Sequence, residues 1–268
     1  MKNTPKKFFD AVLHAYPDAT NLRIPNTVGS QNNLIFADIK NKTHAFKFGT
    51  PERLNKNESV SKLYRMRKIP CPDIKIKESD GLFFEDYEIL DGITLFEAIE
   101  NGMSDDKIKQ IYREIIDCID KMKRIPNIPL YTNKNKYVHQ FAKEHITNTN
   151  GAILGQICMA AVYSANIGNQ NDMALYHSDI TPKNTIVSQD GHLVGFIDLD
   201  SVTISNINYI FGTMAAKYIE LGFDIDELIL YYEKISGKKL NRHHVSMIAN
   251  SMFFIKKTLW KLSNNKQK

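Results

Sequence analysis

The sequence predicts an α+β protein in two parts, a β-rich part over residues 1–90 and a mainly helical part over residues 91–268. Short runs that mix polar and apolar residues, separated by turn residues, dominate the first part. Segments whose apolar residues recur at helical spacing dominate the second part. With 268 residues, 43% of them hydrophobic, the chain is long enough for two parts that each bury a core.

The first part contains two predicted pairs of strands. Leu34–Lys40 and Thr43–Phe48 have the composition of a hairpin, with Asn41-Lys42 as the tight connection. Two more β-prone runs flank the turn at residues 79–81, where Ser-Asp-Gly is a typical turn sequence.

A helix is predicted between these two pairs of strands. Pro51–Lys68 shows no strand alternation, and Val60, Leu63 and Tyr64 fall on one helical face. This helix therefore follows the strand Thr43–Phe48 directly.

The second part opens with two helices whose ends are marked in the sequence. Thr94 and Glu97 have the spacing of a capping box, and Gly102 is a typical helix terminator. Ser104 is the expected N-cap of the next helix, which Pro126 ends. Its apolar face comprises Ile108, Ile111, Tyr112, Ile115, Ile119 and Met122.

Three further helices and one short β insert complete the second part. Helices are predicted over 137–170, from Asp224 to Gly237 and over 242–262, the last bearing the only tryptophan. The β insert spans 184–198.

Composition excludes several classes of protein. The three cysteines, Cys71, Cys118 and Cys158, are odd in number and widely spaced, which argues against a disulfide framework and a zinc site. No signal peptide or membrane span is expected, so a cytoplasmic protein is predicted. The net charge of +5 lies partly in the tail Lys256–Lys268, and binding to nucleic acid is not expected from it.

Three polar side chains in and after the segment His177–Val187 are expected to converge. Residues 185–187 and 193–197 predict a short hairpin, which would return the chain so that Asn184 and Asp198 lie side by side. Asp179 lies just ahead of them on the same loop. Carboxylate and amide oxygens suit Mg²⁺ better than zinc, although an ordinary polar loop before a hairpin remains the alternative.

These residues carry a resemblance to a known family. His177-x-Asp179-x4-Asn184, followed by apolar-apolar-Asp198, resembles the motifs of the aminoglycoside phosphotransferase / choline kinase family, small-molecule relatives of the protein kinases. The resemblance implies a bilobal protein-kinase-like fold and a small-molecule kinase that uses ATP, or possibly GTP, with Mg²⁺. Asp179 would be the catalytic base, Asn184 and Asp198 the Mg²⁺ ligands, and His177 a structural brace for the loop, with Asp200 a weaker candidate near the metal.

In the first part, the resemblance implies that a lysine within a strand contacts the nucleotide. Lys47 lies in an apolar strand, where its ammonium needs a partner. The family's corresponding lysine contacts nucleotide phosphates and pairs with a helix glutamate, which predicts Glu58 as the partner and Glu52 as the fallback. An exposed lysine on an edge strand is the alternative.

The other nucleotide contacts leave weaker traces. The segment 28–33 supplies Gly29 and Ser30 as candidates for a phosphate loop, although a simple hairpin loop fits nearly as well. The stretch 87–90 resembles the hinge that joins the two lobes, which makes Glu88 and Leu90 candidates for the adenine site.

The sequence departs from the family's pattern at two places. Ser178 replaces the usual glycine of the loop, and the segment that often follows the metal-binding aspartate is absent. Neither departure removes a catalytic group.

The phosphate acceptor is the least determined feature. Glu220, Asp224, Asp226 and Glu227 are candidates for a wall that binds a cationic acceptor such as an aminoglycoside, choline or ethanolamine. Acids at a helix start and on a solvated face are the simpler interpretation. A nucleotide-binding pseudokinase and, less favoured, a basic nucleic-acid-binding module are the competing functions.

Overall fold

The chain forms two compact units in the computed structural model, which describes residues 6–25, 33–123, 125 and 173–250. The first unit comprises Met1–Gly92 and Val194–Asp200, and the second comprises Ile93–Leu193 and Ser201–Lys268. Val194–Asp200 therefore groups with the first unit, although it lies far along the chain.

The first unit is a five-stranded antiparallel sheet with two helices. Its elements are α1 (Lys6–Ala15), β1 (Thr20–Arg23), β2 (Leu34–Ile39), β3 (Lys42–Phe48), α2 (Pro51–Met66), β4 (Lys75–Ser79) and β5 (Leu82–Glu88). The strand order is β1-β2-β3-β5-β4, with antiparallel pairing throughout. Both predicted strand pairs and the predicted helix α2 are therefore confirmed.

The turn between β2 and β3 lies one residue earlier than predicted. Ile39 pairs with Lys42, so Lys40 and Asn41 are the two central turn residues. Both have positive φ angles, 50° and 64°, as a turn matched to the twist of a two-stranded ribbon requires. The expected connection at Asn41-Lys42 was wrong because turn composition does not define the exact register.

One face of the sheet forms the core of the first unit with α1, a helix and packing partner that the sequence analysis did not predict. Ala11 and Val12 of α1 are buried in one cluster with Phe46, Phe48 and Phe84. Phe8 of α1 also stacks on Phe48 with ring centroids 4.3 Å apart. Because side chains alternate along a strand, residues next to these aromatics point to the other face.

The opposite face carries polar side chains beneath α2. Lys47 of β3 pairs with Glu85 of β5 in the antiparallel ladder, so both side chains lie on this face. The α2 residue Asn57 is buried against it and donates to Glu85.

The second unit is mainly helical. Its elements are β6 (Ile93–Thr94), α3 (Leu95–Glu100), α4 (Asp105–Lys123), β7 (Met173–His177), β8 (Thr185–Val187), β10 (Val202–Asn206), α5 (Ile207–Glu220) and α6 (Ile225–Ser236), and residues 242–250 are also helical. The chain passes into the first unit within β9 (Leu193–Phe196), which a short 3₁₀ turn, Leu199–Ser201, follows.

Helix caps in the second unit follow the sequence signals. Thr94 and Glu97 form a complete capping box, with the Glu97 N–H 3.1 Å from the Thr94 hydroxyl and the Thr94 N–H 2.9 Å from the Glu97 carboxylate. The side chain of Asp224 caps α6, and Gly237 ends it with a positive φ of 66°. The predicted ends of α3 and α6 are confirmed.

Aromatic side chains pack the helices of the second unit together. The ring centroids of Tyr112 and Tyr218 are 4.8 Å apart between α4 and α5. Phe211 and Tyr232 make an edge contact at 5.7 Å between α5 and α6. The apolar face predicted for α4 is buried here.

Among the described residues, three strands of the second unit lie outside the single β insert expected at 184–198: β6, which pairs with β8, and the pair β7 and β10. β7 and β10 pair antiparallel from His177↔Val202 to Met173↔Asn206. The predicted helix over 137–170, Cys158 and Trp260 lie outside the described residues. Within the described ranges, no helix is both long and apolar enough to span a membrane.

Candidate active site

Lys47 forms a buried ion pair with two carboxylates in the first unit. Its ammonium nitrogen lies 2.8 Å from Oδ1 of Asp198 and 2.7 Å from Oδ2 of Asp200. Lys47 is only 9% exposed. Burial disfavours the charged ammonium, but the charges of Asp198 and Asp200 outweigh it and raise the pKa of Lys47 above its usual range.

The predicted pairing of Lys47 with Glu58 was wrong for this structure. Glu58 instead lies 2.9 Å from the ammonium of Lys62, one turn further along α2. Glu52, the fallback, is exposed in the first turn of the helix. Successive helix residues are about 100° apart around the axis, so Asn57 rather than Glu58 faces the sheet.

Asn57 joins two carboxylates on this face of the sheet. Its Nδ2 donates to Oε1 of Glu85 at 2.7 Å and to Oδ1 of Asp200 at 2.5 Å. Burial raises the pKa of Glu85 to about 7, against the opposing effects of the Lys47 charge and the Asn57 hydrogen bond. Neither Asn57 nor Glu85 was singled out by sequence analysis, because a polar residue inside a strand or a helix carries no motif.

Two further cations of α2 contact Asp200. The Nε of Arg53 lies 3.6 Å from its carboxylate, and Lys56 donates to its backbone carbonyl at 3.2 Å. Burial alone would raise the pKa of Asp200, but the charge of Lys47 holds it below its usual range. Asp200 thus lies among three cations, Lys47, Arg53 and Lys56. Cations and carboxylates close together are suited to binding phosphate groups and a metal ion.

Asp198 has a backbone conformation that is rare for its residue type. Its φ is 60°, in the left-handed region that most non-glycine residues avoid. Such conformations cost about 1–3 kcal/mol and occur preferentially at functional sites. The oxygen donors of Asp198 and Asp200, already close to one cation, have the hard-ligand chemistry that Mg²⁺ requires. In the described ranges, no group of three or more His, Cys, Asp or Glu side chains is arranged to hold a metal ion.

The predicted hinge residues lie within the described part of the chain, whereas the predicted phosphate-loop residues do not. Glu88 ends β5 and lies 2.8 Å from the ammonium of Lys42, and Leu90 packs close to Gly195. Gly29 and Ser30 lie outside the described residues. Contacts of Glu88 and Leu90 with adenine remain a prediction.

In the second unit, Asp179 and Asn184 form one hydrogen-bonded loop. The side-chain amide of Asn184 donates to Oδ2 of Asp179 at 2.7 Å and to its backbone carbonyl at 3.1 Å. The Asn184 N–H also binds the carbonyl of Thr181 at 3.0 Å. The spacing of five residues noted in the sequence therefore brings these two side chains into direct contact.

His177 and Ser178 hold the start of this loop. The Nδ1 of the fully buried His177 accepts the Asp179 N–H at 3.2 Å, so this nitrogen carries no proton. That is the geometry expected of a brace. Ser178, in place of the usual glycine, donates both its hydroxyl and its N–H to the carbonyl of Ser201, at 2.6 and 3.0 Å.

After β8 the chain reverses in a tight turn, as the predicted hairpin requires. The Ser188 N–H donates to the His192 carbonyl at 2.9 Å, and the Gly191 N–H donates to the Ser188 carbonyl at 3.0 Å. Gly191 has a φ of 86°. That Asn184 and Asp198 share one metal ion stays a prediction.

The four acidic acceptor candidates have local partners. Glu220 lies 2.9 Å from the Lys217 ammonium, Asp226 lies 3.1 Å from Arg242 and Glu227 lies 3.5 Å from Lys109. The Asp224 side chain caps α6. This arrangement favours the simpler interpretation, in which these acids stabilise helices on a solvated surface.

Three solved structures resemble this chain. A type VIII aminoglycoside-3'-phosphotransferase matches at a TM-score of 0.66 and 11% identity, over 94% of this chain and 100% of that one. Choline kinase LicA from Streptococcus pneumoniae matches at 0.61 and 15%, over 98% and 91%. The GDP and kanamycin complex of APH(2")-IIia matches at 0.61 and 14%, over 98% and 93%.

These structures show that the fold is the protein-kinase-like fold, as the sequence predicted. A search of curated proteins with the sequence found no match. The family model described as "Phosphotransferase enzyme family" matches residues 45–231, a range that includes Lys47, Asp179, Asn184 and Asp198. The chain therefore belongs to the phosphotransferase enzyme family.

Proposed function

We propose that this enzyme transfers the γ-phosphoryl group of ATP, or of GTP, to a hydroxyl group of a small molecule. Membership of the phosphotransferase family supports the reaction class. The similar structures include aminoglycoside phosphotransferases and a choline kinase, which suggests an amine alcohol or a sugar as the acceptor. GDP in one of these structures is the reason to keep GTP as a donor.

The ion pair of Lys47 with Asp198 and Asp200 is the observation that carries this proposal. A buried ammonium that is paired with two carboxylates can exchange one of them for phosphate oxygens when a nucleotide binds. Arg53 and Lys56 add positive charge beside Asp200. A triphosphate needs such charge compensation.

Asn184 and Asp198 would hold Mg²⁺. Both offer oxygen ligands, and the left-handed backbone of Asp198 is a strain typical of a functional position. Bound there, the ion would neutralise charge on the phosphates.

Asp179 would act as the base. Its half-buried carboxylate is held by the Asn184 amide, and the His177 ring anchors its backbone. The acceptor's O–H proton passes to this carboxylate as the acceptor oxygen bonds to the γ-phosphorus. The bond from that phosphorus to the bridging oxygen breaks, and the nucleoside diphosphate leaves.

The proposal is tested by Mg²⁺-dependent ADP release from ATP, measured with aminoglycosides, macrolides, choline, ethanolamine, thiamine and sugars as acceptors. We expect one acceptor class to stimulate release and Asp179→Asn to reduce the stimulated rate by about 100- to 10,000-fold. Asp190→Asn makes the same change at an exposed position of the 188–192 turn and should leave the rate unchanged.

Other outcomes separate the competing functions. If ATP with Mg²⁺ raises the melting temperature but no acceptor stimulates release, the protein binds nucleotide without this turnover. Salt-sensitive binding of DNA or RNA without ADP release would instead favour the nucleic-acid-binding alternative. A cytoplasmic location remains a prediction.

A further inference from the structure

The proposed reaction does not use Glu85, a buried carboxylate beside the candidate phosphate-binding lysine. Glu85 is 2% exposed. It lies directly opposite Lys47 in the β3–β5 ladder. Side chains paired in this way have Cβ atoms about 5 Å apart on the same face of the sheet. Glu85 therefore lies beside the stem of Lys47.

Asn57 connects Glu85 to the ion pair of Lys47. Its single amide nitrogen donates to both Glu85 and Asp200, at 2.7 and 2.5 Å. Asn57 is itself 1% exposed, so this amide has little freedom to move. The Asn57 amide thus holds the carboxylates of Glu85 and Asp200. Lys47 forms an ion pair with Asp200 and lies opposite Glu85 in the strand pairing.

The burial of Glu85 is costly for folding. A carboxylate removed from water is disfavoured unless charge and hydrogen bonds compensate it, and here burial dominates and raises the pKa of Glu85. A glutamine of the same size would accept the same hydrogen bond without that cost. A carboxyl group at this position, where a glutamine would be less costly, therefore points to a role other than stability.

We propose that Glu85, held by Asn57, positions the ammonium of Lys47 for the nucleotide phosphates. This inference rests on the proposed function, and it gives Glu85 the role that the sequence analysis assigned to Glu58. On nucleotide loading, Lys47 exchanges Asp198 for phosphate oxygens. Glu85 does not take part in that exchange, so its charge keeps the ammonium on this face of the sheet throughout.

The test compares nucleotide affinities by calorimetry at about pH 8, in the presence of Mg²⁺ and without acceptor. Glu85→Gln removes the charge and keeps an acceptor for the Asn57 amide. We expect it to raise the Kd for ATP by about 10-fold, because the variant loses the Coulombic attraction between Glu85 and the Lys47 ammonium. Glu78→Gln, at an exposed position of the neighbouring strand β4, is the matched control.

Two further measurements distinguish positioning from general damage. Adenosine has no phosphates, so its affinity should be the same in Glu85→Gln and the wild type. In a Lys47→Met background, Glu85→Gln should have no further effect on ATP affinity, because Glu85 acts through Lys47.

The inference is overturned if Glu85→Gln binds ATP as tightly as the wild type, or if adenosine affinity falls equally. It is also overturned if Glu58→Gln, and not Glu85→Gln, weakens ATP binding. A wild type that binds neither ATP nor GTP with Mg²⁺ overturns the proposed function and this inference together. A wild type that binds, with an unchanged Glu85→Gln variant, overturns the inference alone.

Discussion

Replacing Glu85 by glutamine should make the protein more stable at neutral and alkaline pH. The carboxyl of Glu85 has a pKa of about 7 in the folded protein, against a usual value of 4.5. The folded state therefore holds this proton more tightly than the unfolded state, and stability falls as the pH rises between these two values. At 1.36 kcal/mol for each pH unit, the full loss is about 3 kcal/mol.

The Glu85→Gln variant has no ionisable group at this position, so its free energy of unfolding should lack the pH dependence that Glu85 causes. The free energy of unfolding of the variant, relative to the wild type, should increase by about 3 kcal/mol between about pH 4.5 and about pH 8. Comparing the change across pH removes any constant effect of the substitution, such as an altered hydrogen bond with Asn57.

Urea unfolding followed by circular dichroism, without nucleotide, measures this difference. Glu78→Gln should show no comparable change with pH, because its side chain is exposed in both states. A constant difference between Glu85→Gln and the wild type would refute the reasoning, and a decrease with rising pH would show that the charge of Lys47 outweighs burial. A variant that is more stable yet binds ATP more weakly would also separate function from folding at this residue.

Three other substitutions test local packing and capping by the same unfolding measurement. Gly195→Ala should cost about 1–3 kcal/mol, because its Cβ would lie 2.9 Å from the Pro70 carbonyl and 2.8 Å from a Leu90 methyl; a neutral effect would mean that this contact relaxes freely. Thr94→Ala removes the capping box of α3 and should cost about 1 kcal/mol, so unchanged stability would argue against that cap. Ser61→Ala removes the hydroxyl that binds both the Pro72 carbonyl and the Ile74 N–H, which keep a 3.2 Å hydrogen bond to each other, and should cost about 1 kcal/mol, whereas a stabilising effect would contradict the hydrogen bonds assigned to Ser61.

Local features of the fold were predictable because neighbouring residues determine them. The caps at Thr94 and Asp224 depend on side chains within three residues of the helix start, and the structure forms both. The contact between Asp179 and Asn184 likewise follows from their spacing on one loop. The family resemblance used the same local motifs, which is why it identified the reaction class.

Pairing between distant segments was less predictable. β7 and β10 form a sheet in which His177 lies opposite Val202. β7 is a short, mainly apolar run and β10 a five-residue run of mixed polarity, and segments this short are not identified as strands by periodicity alone. The helix α1 packs on the first sheet through Ala11 and Val12, a contact that no local signal specifies.

The surroundings of Lys47 show most clearly which features follow from local sequence and which from long-range folding. Local sequence was enough to predict a lysine within an apolar strand and a glutamate-bearing helix directly after it. The partners of the lysine depend on long-range folding, because Asp198 is 151 residues away and Asp200 lies two residues beyond it. A rotation of about 100° from one helix residue to the next turned Asn57 inward in place of Glu58. Helix geometry fixes that angle, whereas packing decides which side of the helix meets the sheet.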